Sequence, residues 1–88
     1  MKLSVIIPVF NEKNTIQKIL QLIENQNFIE KQLVIVDDYS SDETLIQIEN
    51  FNFASEKILL KHNKNLGKGA CIKTAKAHAD GDIILIQD

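Results

Sequence analysis

Four short apolar runs, each continuous rather than alternating, limit what this 88-residue chain can fold into. Leu3–Pro8 is the first, rich in valine and isoleucine and closed by a proline that cannot continue a central ladder. Leu33–Val36, Ile58–Leu60 and Ile83–Ile86 follow. A strand with one wet face alternates polar and apolar residues. Runs without alternation are buried on both faces, as the strands of a parallel sheet are.

The segments between the runs read as helices. From Asn14 onward, Ile16, Ile19, Leu20 and Ile23 recur at i, i+3, i+4 and i+7, with Gln17, Lys18, Gln21 and Glu24 outside that stripe. Ser40 and Glu43 stand three apart ahead of Leu45 and Ile48, which predicts a capping box. A third helix is expected to begin near Gly67–Gly69. It would carry Cys71, Thr74, Ala75 and His78 on one face and end at the turn Asp80-Gly81-Asp82. The order β-α-β-α-β-α-β predicts an α/β fold with right-handed crossovers.

Composition narrows the function classes. The chain is 44% hydrophobic and 25% charged, as a soluble globular domain would be. Its ten basic residues are all lysines, against twelve acidic ones, for a net charge of −2. With no arginine fork and no basic excess, a nucleic-acid partner is not expected. No apolar stretch approaches the ~18 residues of a membrane span. Pro8, Asn11 and Glu12 interrupt the N-terminal run before any signal-peptide pattern forms. Cys71 is alone and cannot form an internal disulfide, so the expectation is a reduced, intracellular chain.

In parallel sheets ligands bind beyond the carboxyl ends of the strands. Those ends carry Pro8-Val9-Phe10-Asn11-Glu12, then Asp37-Asp38-Tyr39-Ser40-Ser41-Asp42, then His62 to Gly69, then Asp88. Three of the four carry carboxylates, which suit a cation, a hydroxylated sugar or the donor edge of a base. A dinucleotide fingerprint fails because the turn after the first run has no glycine. A P-loop fails because Gly67-Lys68-Gly69 lacks both its earlier glycine and the closing Ser or Thr.

Four ordered motifs then carry a resemblance: Ser4–Glu12, Val34–Thr44, Asn65–Ala70 and Gly81–Asp88. Together they resemble the opening half of a family 2 glycosyltransferase, nearest the dolichyl-phosphate mannose synthase and polyprenyl-phosphate sugar transferase branch. The resemblance implies a three-layer α/β/α arrangement, the GT-A fold, with a mostly parallel sheet in the order 3-2-1-4. Residues 1–88 would then be its nucleotide-sugar-binding half, truncated after the fourth strand. It implies that Pro8, Phe10 and Glu12 line a nucleoside pocket, and that Val36 and Asp38 contact the base. Asp88 would be the first aspartate of an Asp-x-Asp motif holding Mg²⁺ or Mn²⁺. The implied substrates are a UDP- or GDP-linked sugar and an acceptor such as polyprenyl phosphate, used with inversion. The full-length enzyme would then work in the cytoplasm, at the membrane face. The alternative is a catalytically inactive nucleotide-binding or assembly fragment, with self-association through the edge of the fourth strand.

Other residues draw plainer expectations. Asp37 is read as structural, and Gly67 and Gly69 as backbone requirements of a tight helix entry. Lys68 is expected in solvent, His62 in a loop, and His78 packed on a helix face. Cys71 is expected to be an inert, buried small hydrophobe.

Overall fold

A computed structural model describes residues 1–26 and 30–87. The chain runs β1 (Lys2–Val9), α1 (Ile16–Glu24), β2 (Glu30–Asp37), α2 (Thr44–Glu49), β3 (Glu56–Lys61), α3 (Lys68–Lys76) and β4 (Ile83–Ile86). All strand pairs are parallel, in the order β3-β2-β1-β4. The first three strands extend past their apolar runs at both ends; β1 does so through Pro8, which was expected to close it, to Val9, paired with Asp37. β4 matches its run.

Alternate residues of the continuous runs feed two cores. Val5, Ile7, Val9, Leu33 and Ile35 pack under Ile16, Leu20 and Ile23 of α1 and Ile48 of α2. On the opposite face Ile6, Val34 and Val36 pack against Cys71 and Ala75 of α3. The sheet is therefore the middle of three layers, which is why its strands show no polar alternation. Helices of six to nine residues are too short to persist alone. Burial of their apolar residues holds them, at roughly 1.5–3 kcal/mol for each large one.

Two polar residues inside the sheet have a specific use. Ser4 Oγ donates to Gln32 Oε1 at 2.7 Å, and Gln32 Nε2 donates to Glu56 at 2.8 Å. The backbone N–H groups of Asp80 and Gly81 donate to Gln32 Oε1 and Ser4 Oγ. Asp80-Gly81-Asp82 accordingly does not end α3, which stops at Lys76. It docks on β1, with Asp82 N–H donating to the Lys2 carbonyl at 2.8 Å.

Three other expectations give way. Ser40 and Glu43 form no capping box: Ser40 turns back to Asp37, while Asp42 accepts from Thr44 N–H and from its hydroxyl. His78 is exposed beyond α3 and donates to the Thr74 carbonyl at 3.1 Å rather than packing on a face. Gly67 takes φ +97° at the entry to α3, where glycine is required, but nothing crowds or strains Gly69. Among the described residues no helix is long and apolar enough to cross a membrane.

Candidate functional site

β1 leads to β2 and β3 on one side, whereas β4 lies on the other side of β1. The topological switch point therefore falls between β1 and β4, where α/β sheets bind ligands. An open crevice of about 220 Å³ lies there, lined by Pro8, Phe10, Glu12, Asp38, Lys68 and Gln87 over an apolar floor that includes Cys71. Its size is below the ~300–1,000 Å³ that encloses a whole drug-sized ligand. It suits part of a larger molecule.

The loops after β1 and β2 are stitched into one wall. Asn11 N–H donates to Ser40 Oγ at 2.9 Å, and Ser41 N–H donates to Asn11 Oδ1 at 2.8 Å. Glu12 N–H donates to Thr44 Oγ1 at 2.8 Å, while its carbonyl accepts from Thr15 and Ile16 as α1 begins. Asn11 (φ +50°) and Tyr39 (φ +66°) adopt the left-handed region at these turns. That conformation comes readily to asparagine and is a strain for tyrosine.

The aspartate doublet divides its labour. Asp37 accepts from Ser40 Oγ at 2.6 Å and Ser40 N–H at 3.1 Å, closing the turn. Asp38, only 3% exposed, accepts from His62 Nδ1 at 2.7 Å, Leu66 N–H at 2.9 Å and Gly67 N–H at 2.8 Å. Burial alone would push its carboxyl up. The bonds from His62, Leu66 and Gly67 outweigh burial and hold it below its ordinary value. Glu12 shows the opposite balance, because burial raises its carboxyl. Burial, then the facing Asp38 carboxylate, pushes the Cys71 thiol up to about 11, so it stays protonated.

Pro8, Phe10, Glu12 and Asp38 are thus brought together. Val36 is not: it is 0% exposed in the core beside α3, two residues before Asp38 on the same strand face. The side chain expected to touch a base instead packs beneath the crevice. Asp88 lies outside the described residues. His62, expected only as loop, is half of a buried pair with Asp38, and its Nε2 meets Thr74 Oγ1 at 2.8 Å. Its visible signal was its place just after the third apolar run, at a carboxyl end. Gln87 and the exposed Lys68 also border the crevice.

Asp38, His62 and Cys71 present ligand-type atoms within 4.8 Å of one another. Asp38 and His62 are already bonded to each other at 2.7 Å, and the set offers one carboxylate, one imidazole nitrogen and one sulfur. This donor set does not fit Mg²⁺ or Mn²⁺, which prefer oxygen ligands.

Sheet order and helix placement match those of GT-A glycosyltransferase structures. The chain belongs to glycosyl transferase family 2, whose sequence profile matches residues 4–88. One relative is the GalNAc(5)-diNAcBac-PP-undecaprenol β-1,3-glucosyltransferase of Campylobacter jejuni. It is 35% identical over 68 residues, covering 77% of this chain and 22% of that protein. Another is the dolichyl-phosphate β-glucosyltransferase ALG5C of Trichomonas vaginalis, 30% identical over 94% of this chain and 27% of its own length. Among solved structures, S. aureus TarS 1-349 in complex with UDP-GlcNAc superposes with a TM-score of 0.92 at 32% identity, covering 100% of this chain and 26% of that one. Mannosyltransferase PcManGT of Pyrobaculum calidifontis, in complex with GDP-Man and Mn²⁺, gives 0.88 at 28% identity over 93% of this chain and 25% of its own. The chain therefore spans about a quarter of the length of each relative.

Proposed function

We propose that this chain forms the donor side of a sugar transferase, holding the nucleoside of a UDP- or GDP-linked sugar. The observation that carries the reading is Asp38: an ionised carboxylate, buried yet lining the switch-point crevice. An oriented acceptor there suits a ring N–H of a base. Phe10, 48% exposed at the rim, offers a face for stacking worth about 1–3 kcal/mol. The desolvated Glu12 carboxylate suits ribose hydroxyls, which donate to it. Neighbours solved with UDP-GlcNAc and GDP-Man support the donor class without choosing the base.

In the full-length enzyme an acceptor oxygen attacks the anomeric carbon from the face opposite the diphosphate. A new C–O bond forms, the old one breaks, and its electron pair leaves with the nucleoside diphosphate, inverting the centre. We assign polyprenyl phosphate as the acceptor, on the strength of relatives named for dolichyl phosphate and undecaprenyl phosphate. Such an acceptor is already ionised and needs little help from a base. It also places the reaction at the cytoplasmic face of a membrane. Asp88 is the residue assigned to a divalent ion, Mg²⁺ or Mn²⁺, which would neutralise charge on the departing diphosphate. The Mn²⁺ complex of PcManGT supports a divalent ion in the reaction.

A second reading, a hydroxyl acceptor, draws on the likeness to S. aureus TarS, a relative named for poly(ribitol-phosphate). Radiolabelled sugar transfer by the full-length protein separates the two, across UDP- and GDP-sugars with lipid phosphate and polyol acceptors. Transfer to the lipid phosphate with inverted configuration is expected. Transfer confined to hydroxyls establishes the second reading. Nucleotide binding without transfer leaves a binding module, and absence of both overturns the donor site.

A further inference from the structure

We propose that His62 is a positioning residue for base recognition, locking the Asp38 carboxylate so that its remaining acceptor capacity faces the crevice. The inference rests on reading the crevice as a nucleoside site. Three N–H groups reach Asp38: two are backbone, from Leu66 and Gly67, and the third is the His62 ring. Among the described residues His62 is the one side-chain N–H on this carboxylate.

His62 is itself held at three points, two of them on its ring. Its Nδ1 faces Asp38 at 2.7 Å, its Nε2 faces Thr74 Oγ1 on α3 at 2.8 Å, and its backbone N–H donates to the Asp37 carbonyl at 2.9 Å. Because a carboxylate only accepts, Nδ1 must carry the proton toward Asp38. His62 thereby ties the end of β3 and the face of α3 to the carboxylate that directly follows β2. Its side chain is 8% exposed, and that of Asp38 is 5% exposed. A carboxylate engaged from two directions cannot rotate to follow a ligand. It favours a donor arriving along the one open direction, from the crevice. Such preorganisation gives selectivity for bases with a ring N–H, because no ordering of Asp38 is needed when the base arrives.

The test is calorimetric titration of the protein with UDP and GDP, each compared with its N-methylated analogue, 3-methyl-UDP or 1-methyl-GDP. The preferred wild-type nucleotide is expected to bind about 10-fold or more tightly than its methylated form, as befits a hydrogen bond to a charged group. His62→Ala should bring that ratio close to one. His62→Asn, whose amide can still donate to Asp38, should recover most of it. A merely structural histidine would lower thermal stability and leave the ratio unchanged, and that result overturns the proposal. If His62→Ala does not fold, Thr74→Val decides, since it frees the ring from α3 without touching Asp38. A reduced ratio supports the proposal and an unchanged one overturns it. Wild-type binding without discrimination overturns the positioning role alone. Absence of UDP and GDP binding overturns the crevice reading beneath it.

Discussion

Asp38 and Glu12 sit in the same crevice with opposite electrostatics, and each yields a test at the residue scale. Hydrogen bonds hold Asp38 below its ordinary value of 3.8, so its ionised form stabilises the fold. That stabilisation is fully present above pH 3.8 and is lost as pH falls through the lower folded value. Asp38→Asn places an amide against N–H donors. It is expected to cost about 1–3 kcal/mol in urea unfolding at neutral pH and to flatten the acid limb of the stability profile. Glu12 runs the other way. Burial raises its carboxyl above 4.5, so stability falls as pH rises from 4.5 through the folded value. Glu12→Gln is therefore expected to raise the melting temperature at pH 7 while weakening nucleotide binding by calorimetry. A variant that loses stability at pH 7 would contradict that balance.

At the scale of elements, the segment before β4 shows how closely backbone and side chain are fitted. A Cβ on Gly81 would lie 2.6 Å from Ser4 Oγ, 2.7 Å from Ser4 N and 3.0 Å from the Lys2 carbonyl oxygen. Two of these are backbone atoms of β1, so the docking segment itself must move. Gly81→Ala is expected to destabilise by about 1–3 kcal/mol, read as a lower denaturation midpoint with unchanged slope. The stripe of α1 was legible because Ile16, Leu20 and Ile23 recur with the helical period, and all three are buried. The entry to α2 was not. Ser40 matched a capping pattern, yet Asp37 and Asn11 claim it, since the two loops must close one wall.

On the scale of the molecule, three layers bury β1 and β2 on both faces, whereas the four residues of β4 remain 39–50% exposed. β4 pairs with β1 on one side. Exposed apolar strands invite pairing with another chain. The 88-residue chain by itself is accordingly expected to self-associate, with Lys substitutions at Ile84 and Ile86 restoring the monomer. Sedimentation at high concentration checks this, and a monomeric wild type contradicts it.

The order of elements, the parallel sheet and the carboxylates at its carboxyl ends were determined by the sequence itself. Apolar periodicity and breaker residues act over a few positions, so they can be read locally. Only the tertiary structure decided what stands next to Asp38. The β2–β3 register pairs Asp37 with Lys61, which sets His62 beside a carboxylate 24 residues earlier in the chain. The same packing buries Val36 below the crevice and fastens the Asp80–Asp82 segment to β1. Such neighbours depend on strand register and layer packing, which no local pattern encodes.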